Sequence, residues 1–214
     1  MNTSVENTNK SAFTDFSVRR FIGAVLGIII IGIGCAIFKQ SMLGNDPITA
    51  MNLRLSEITG IPFALWNLIP NLFFLVFQFI WGRKYIGIGT IINGGFIGYV
   101  ISFISGYLLS TFGEPQSFAI KIAWVLVGVV VTSLGVSFYQ VSNMGIGPYD
   151  SVSLMMHDHL KLPYFGCRLF TDAICTAIAF FTGGLIGLGT LASAFGFGPV
   201  IAFFNKHVSE KWIY

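Results

Sequence analysis

The sequence has few charged residues: Asp, Glu, Lys and Arg together make up 10% of its 214 positions. Soluble domains carry about one quarter charged residues and depend on them to stay in solution. The net charge of +3 is also small, and no basic stripe with interleaved aromatic residues occurs. The composition therefore argues against a soluble domain, and we expect no nucleic-acid partner.

Residues and motifs that support catalysis or metal binding are also scarce. The three cysteines lie inside apolar runs without a CxxC pair, which argues against a disulfide framework or a zinc site. His157 and His159 are two positions apart, so they would lie on different faces of a helix. No zinc-protease, P-loop, dinucleotide-binding or nucleophile–base motif occurs. We therefore expect neither an enzyme nor a cofactor.

Long apolar runs account for most of the chain, in which 54% of the residues are hydrophobic. A helix needs about 20 apolar residues to cross the hydrocarbon core of a bilayer, and six segments reach or approach this length. The first is too long for the hydrophobic part of a signal peptide. The sequence thus predicts an all-α polytopic membrane protein with spans at residues 21–43, 62–81, 88–111, 118–140, 163–182 and 188–204.

Basic residues near the span ends predict the orientation, because Lys and Arg are enriched in cytoplasmic loops. With the N-terminus inside, the outer segments hold Arg54 and Lys121. The inner segments hold Lys10, Arg19, Arg20, Arg83, Lys84, Lys161, Lys206 and Lys211. We therefore expect both termini in the cytoplasm. The chain divides into a polar segment at 1–20, a three-helix unit at 21–111, a linker at 112–117, a second three-helix unit at 118–205 and a cytoplasmic tail at 206–214.

The two units resemble each other when the chain is shifted by 101 residues. Gly27 and Gly34 then coincide with Gly128 and Gly135. Pro62 likewise coincides with Pro163. Such matches are informative because glycine and proline mark specific backbone requirements. Since each unit has an odd number of spans, the second must enter the membrane from the opposite side. The sequence therefore predicts an inverted repeat, an architecture that recurs in transporters with the binding site between the halves.

Two motifs resemble those of a known family. Residues 44–47 (GNDP) and 145–150 (GIGPYD) are each followed later by a GIGT or GLGT segment, and this pattern resembles the YczE/YyaS/YitT-type family of bacterial multi-pass membrane proteins. The resemblance covers about residues 27 to 204. It implies a protein of the bacterial cytoplasmic membrane. Because the family is largely uncharacterised, the resemblance supplies no catalytic or ligand-binding residues.

A short amphipathic helix is predicted in each connector between the first and second spans of a unit. Asp46 suits the N-cap and Pro47 the first helical position. Asp150 lies in the first turn of the second connector helix, where a carboxylate suits the helix dipole. Two arrangements are open. The connector helices lie in the membrane interface, one on each leaflet, or they dip inward as gates or half-helices.

Polar residues recur at one depth in the two halves. Arg168 and Asp172 are four residues apart and share a face of the fifth span, and the repeat places Asn67 and Asn71 at the equivalent positions of the second span. A charge at the bilayer centre costs about 2.5–3.5 kcal/mol on insertion scales, so such residues usually face the bundle interior. In one interpretation, Arg168 and Asp172 neutralise each other and the asparagines bond neighbouring helices. In the other, these two polar strips, Arg168 with Asp172 and Asn67 with Asn71, converge on a central cavity, where Asp172 carries a proton and Arg168 contacts an anion.

The sequence favours a small secondary transporter or exporter of an unidentified small solute. Its candidate substrate-binding residues are Asn67, Asn71, Arg168, Asp172, Asp46 and Asp150. Two alternatives stay open: a substrate-binding membrane subunit of a multicomponent importer, and a structural or regulatory membrane component without a solute. The expected partners are the lipid bilayer and the solute, and the small size of the bundle is compatible with a homodimer.

Overall fold

A computed structural model describes residues 17–214, which form helices without any strand. The α-helices of this part of the chain are α1 Val18–Gln40, α2 Pro47–Thr59, α3 Phe63–Trp66, α4 Leu68–Trp81, α5 Ile88–Phe112, α6 Phe118–Ser142, α7 Pro148–Leu160, α8 Tyr164–Phe181, α9 Leu188–Phe204 and α10 Glu210–Ile213. Within this part of the chain, six helical segments are long and apolar enough to cross a membrane. The predicted all-α class and the six spans are therefore confirmed, while most of the polar segment 1–20 lies outside the described residues.

The second span is interrupted near its start. It extends over Phe63–Trp81, but α3 ends at Trp66 and α4 begins at Leu68. Pro70 explains the break, because its nitrogen has no hydrogen to donate to the carbonyl of Trp66 four residues earlier. Asn67 therefore lies at the interruption between α3 and α4.

The C-terminal residues 206–214, expected as a tail, continue the last span as helix. A π-helical turn at Asn205–Ser209 joins α9 to α10. The Ser209 and Ser137 hydroxyls lie 2.6 Å apart and share a hydrogen bond, and Ile213 is buried close to Gly23. The end of the chain is therefore packed against α1 and α6.

Helices α1 and α6 cross at the centre of the bundle through glycines. A Cβ atom added to Gly27 would lie 2.6 Å from the backbone nitrogen of Tyr139. One added to Gly135 would lie 2.6 Å from the backbone nitrogen of Ile31. Since no side chain fits at either position, the two backbones approach closely, as small residues permit in membrane helices.

Each connector helix runs beside a span of the other unit. Helix α2 follows the second half of α8, and the Nε of Arg54 donates to the carbonyl of Thr182, 2.6 Å away, just past the end of α8. Helix α7 follows the second half of α4: the rings of Tyr149 and Phe74 are 5.7 Å apart, and His159 contacts the carbonyl of Trp81 at 3.2 Å. Both connectors thus begin near the middle of a span and end beside its terminus.

The loops before the two connectors make matching contacts. The amide of Gly189 donates to the carbonyl of Leu43 at 2.9 Å, and the amide of Gly89 donates to the carbonyl of Met144 at 2.8 Å. Each loop contains a glycine with positive φ, Gly44 at 101° and Gly145 at 105°, a conformation that favours glycine. The GIGT and GLGT segments therefore hold the connector loop of the opposite unit.

Candidate functional site

The charged residues of α8 meet the first turn of α7. The Nε of Arg168 donates to Asp172 at 3.2 Å, four residues along the same helix. Its Nη1 also donates to Asp150, 2.5 Å away on α7. The guanidinium is thus shared by two carboxylates and ties α7 to α8. Of the predicted site residues, these three are brought into direct contact.

Tyr149 completes this cluster. Its hydroxyl donates to the second oxygen of Asp172 at 2.6 Å, and the guanidinium of Arg168 lies 5.1 Å from the centre of its ring. Burial raises the pKa of Tyr149, so the hydroxyl keeps its proton and remains a donor. Asp172 therefore accepts hydrogen bonds from both Tyr149 and Arg168.

Asp46 lies beside this cluster at the start of α2. It is the N-cap of the helix, and one carboxyl oxygen accepts the amide of Thr49 at 3.2 Å. The other accepts the thiol of Cys35 at 3.5 Å. Asp46 is 8% exposed, and among the described residues no salt bridge engages it. Its burial, and secondarily its proximity to Asp172, raise the pKa of Asp46 although hydrogen bonds act to lower it, which favours the protonated form.

The asparagines form a separate, neutral group. The Nδ2 of Asn52 donates to the Oδ1 of Asn67 at 2.9 Å, and the Nδ2 of Asn71 donates to the backbone carbonyl of Asn67 at 2.8 Å. Within residues 17–214, no hydrogen bond joins Asn67 or Asn71 to the charged cluster. The two predicted polar strips therefore have different partners. The side chain of Asn67 bonds to Asn52 on α2 and not to Arg168.

Two residues of the site were not predicted from the sequence. Tyr149 lies on the apolar face of the connector helix by its spacing, and Cys35 lies in an apolar run. A buried tyrosine usually finds a partner for its hydroxyl, and its position next to Asp150 was the available signal. No sequence signal pointed to Cys35, because its contact with Asp46 depends on the return of the chain after α1.

A cavity of about 460 Å³ opens between α1, α2 and α5. Its lining includes the charged residues Lys39, Arg54, Glu57 and Glu114, and it reaches Asn45. The side-chain oxygen of Asn45 accepts the backbone amide of Asp46 at 2.9 Å. A cavity with four charged residues in its wall thus extends to the residue next to Asp46. In the described part of the chain, no group of three or more His, Cys, Asp or Glu side chains is placed to hold a metal ion.

Six helical segments that are long and apolar enough to cross a membrane define an integral, multi-pass membrane protein. Residues 18–206 match the model of a family of unknown function, DUF6198, and the chain belongs to this family.

Similar proteins are also uncharacterised. The membrane protein YczE of Bacillus subtilis is 27% identical, over 83% of this chain and 81% of its own length. YyaS of the same species is 24% identical, over 88% of this chain and 93% of its own length. A protein of Haemophilus influenzae is 25% identical, over 87% of this chain and 83% of its own length. These matches confirm the family resemblance drawn from the sequence motifs. No solved structure is similar to this chain at a significant level.

Proposed function

We propose that this protein is a secondary transporter or exporter of a small solute, with its site where α2 and α7 meet α8. The observation that carries the proposal is the partly buried cluster in which Arg168 joins Asp150 to Asp172 and Tyr149 donates to Asp172. Charged residues are costly at membrane depth and usually mark substrate or proton pathways. A purely structural ion pair needs one carboxylate, whereas Arg168 has two and Asp46 lies close by.

An inverted repeat is part of this proposal. Its support is the reciprocal exchange of contacts: α2 runs along α8 of the second unit, and α7 runs along α4 of the first. The two connector loops also receive equivalent hydrogen bonds, from Gly189 and from Gly89. In transporters of this architecture, half-helices point their N-termini at a site between the repeats. We assign the corresponding role to the first turns of α2 and α7.

The chemistry suggests a division of roles. Asp46 is suited to carry a proton, because it is buried without a cationic partner and its pKa is raised. Arg168 and Asp172 are suited to bind the solute, because each has two partners in the cluster. Each would exchange one of these partners for a group of the solute. This assigns the proton to Asp46 instead of Asp172, which carried it in one of the two interpretations of the sequence.

We further propose that the protein resides in the bacterial cytoplasmic membrane with both termini in the cytoplasm. Single cysteines replacing Glu57 and Lys161, in a background without Cys35, Cys167 and Cys175, test the topology in intact cells. An impermeant maleimide should label the cysteine at 57 directly and the cysteine at 161 only after permeabilisation. Labelling of both from outside would contradict the inverted repeat.

The transport proposal is tested by a thermal-shift screen of the purified protein against a panel of small metabolites, followed by uptake of each stabilising compound into proteoliposomes. Ligand binding to the folded state raises its stability by mass action. We expect Arg168→Ala and Asp172→Asn to abolish both the stabilisation and the uptake. The matched control is Asp158→Asn, which removes the same charge as Asp172→Asn from an ion pair with Lys84 outside the cluster.

The outcomes separate the proposed functions. Uptake that is normal in both cluster variants would refute the site. Ligand binding without uptake, together with purification of the protein in complex with an ATPase, would identify an importer subunit. No stabilisation by any compound would favour a structural or regulatory component.

A further inference from the structure

The cavity between α1, α2 and α5 has its own charged residues, separate from the cluster around Arg168. Lys39 in the last turn of α1 and Glu114 just after α5 both lie in its wall. Arg54 and Glu57, three residues apart on α2, also line it. The wall therefore holds two cations and two anions, and its net charge is zero.

Two of these four charges already neutralise each other. The Nη1 of Arg54 lies 3.1 Å from a carboxyl oxygen of Glu57, and its Nε donates to the carbonyl of Thr182. Within residues 17–214, no salt bridge engages Lys39 or Glu114, although Glu57 attracts Lys39 electrostatically. One cation and one anion of the wall are thus left without a direct ionic partner in the described part of the chain.

A contact between their neighbours in the chain brings Lys39 and Glu114 to the same cavity. The Nε2 of Gln40 donates to the carbonyl of Gly113, which ties the end of α1 to the end of α5. Lys39 precedes Gln40 and Glu114 follows Gly113, and both charged residues are exposed. A dissolved ligand can therefore reach two opposite charges that do not form an ion pair with each other.

The rest of the wall suits a ligand with a short apolar body. Leu53 of α2, Leu109 of α5 and Leu185 of the α8–α9 loop line the cavity. Ser105 of α5 also lines it and is 8% exposed, and its hydroxyl has no hydrogen-bond partner among the described residues, although buried polar groups normally have one. The volume of about 460 Å³ falls within the range of about 300–1,000 Å³ that is typical of small-molecule sites.

We propose that this cavity binds a small zwitterion of the amino-acid type, with its carboxylate at Lys39 and its ammonium group at Glu114. A simple anion would be repelled by Glu57 and Glu114, and a simple cation by Lys39 and Arg54, whereas a zwitterion is attracted at both ends. The site does not depend on the proposed transport function, because none of its residues belongs to the charged cluster.

Thermal unfolding of the intact protein in a nonionic detergent tests the proposal, because a ligand that binds the folded state stabilises it. The probes are L-leucine and 6-aminohexanoate, in which the two charges are separated by different distances. Each is compared with analogues that lack one charge: L-leucinamide and 4-methylpentanoate for the first, hexylamine and hexanoate for the second. We expect saturable stabilisation by at least one zwitterion, and binding of its analogues to be about tenfold weaker, since each loses a contact with a charged group.

Lys39→Gln and Glu114→Gln should each weaken the binding of this zwitterion about tenfold. The matched controls are Lys206→Gln and Glu210→Gln, which remove the same charges from exposed positions near the end of the chain and should leave binding intact. Binding should also persist in Asp172→Asn, which distinguishes a ligand of this cavity from the transported solute. Absence of saturable stabilisation by both zwitterions, or equal stabilisation by the single-charge analogues, would overturn the proposal. Binding that is lost in Asp172→Asn but kept in Lys39→Gln would also overturn it, because the ligand would then occupy the charged cluster.

Discussion

The two three-helix units share their backbone contacts but differ in their polar side chains. In both, a glycine with positive φ precedes the connector helix, and the connector loop accepts a hydrogen bond from the opposite unit. The second unit places Arg168 and Asp172 where the first has Asn67 and Asn71. Arg168 reaches α7 through Asp150, whereas Asn67 reaches α2 through Asn52.

This difference indicates which features serve the architecture and which are available for function. Close backbone approach tolerates no added side chain, so the glycines must recur wherever the same approach recurs. Polar side chains between the helices are under no such constraint. The two units therefore differ in the charged group of the second and the neutral group of the first, and the following variants test this interpretation.

The shared glycine crossing should be the most sensitive feature. Gly135→Leu forces a side chain against the backbone of α1, where even a Cβ atom would lie 2.6 Å from the Ile31 nitrogen. We expect a loss above about 3 kcal/mol, the upper end of the usual range for overpacking, measured as loss of folded, monodisperse protein in detergent. Gly95→Leu on α5, which has open space around its Cβ position, is the control. A folded Gly135→Leu protein with wild-type thermal stability would contradict the crossing.

Removal of the arginine from the charged group should be the next largest effect. Arg168→Ala leaves Asp150 and Asp172 facing each other without a cation. Breaking a buried pair costs about 3–5 kcal/mol, and we expect about 2–3 kcal/mol because the Arg168 side chain is 27% exposed. Thermal unfolding in detergent measures the loss. Adding Asp172→Asn to Arg168→Ala should recover part of it, since one unpaired carboxylate is then neutral. No recovery would argue against electrostatic coupling.

Asp46, the N-cap of α2, should make the stability of the protein depend on pH. The N-cap of α7 cannot do so, because it is Gly147, which has no side chain to titrate. The raised pKa of Asp46 means that the folded state holds its proton more tightly than the unfolded state. The stabilisation is complete below the unfolded pKa and is lost as pH rises through the folded pKa, by up to about 1.4 kcal/mol per pH unit. Asp46→Asn keeps a good N-cap. It should make the thermal stability less dependent on pH between the unfolded and the folded pKa of Asp46.

Asp158 provides a control of opposite sign for this measurement. Partial burial acts to raise its pKa, but hydrogen bonds from Lys84 and Tyr85 outweigh burial and lower it. Its contribution is present above the unfolded pKa and is lost as pH falls, so Asp158→Asn should reduce only the acid-side dependence. If Asp46→Asn retains the wild-type slope above the unfolded pKa, the buried carboxyl is not the group that titrates.

The neutral group of the first unit should be the least sensitive. Asn67→Ala removes the hydrogen bond with Asn52, and side-chain hydrogen bonds between membrane helices are worth about 0.6 kcal/mol on average. We expect Asn67→Ala to lower the free energy of unfolding by about this amount. A double-mutant cycle with Asn52→Ala, followed by thermal unfolding, measures the coupling between the two asparagines. A coupling as large as that of the charged group would mean that the two units are functionally equivalent.

The sequence was sufficient for the spans, their order and several site residues. The apolar runs predicted five of the six spans within a few residues, and the start of the sixth, because hydropathy reports the bilayer directly. The four-residue spacing of Arg168 and Asp172 predicted their contact, and Asp46 was correctly expected as an N-cap. In contrast, the expected tail at 206–214 is a helical continuation of the last span, because its buried Ile213 finds its contacts only in the folded bundle.

By itself, the sequence determined what depends on local chemistry: which segments are apolar enough to span, where proline and glycine end helices, and which charges share a helix face. The tertiary structure decided which elements meet. It joined Arg168 to Asp150, gave Asp172 the hydroxyl of Tyr149 and placed Cys35 against Asp46, while it left Asn67 and Asn71 with other partners. These contacts depend on how the connector helices cross from one unit to the other, and no local pattern encodes that crossing.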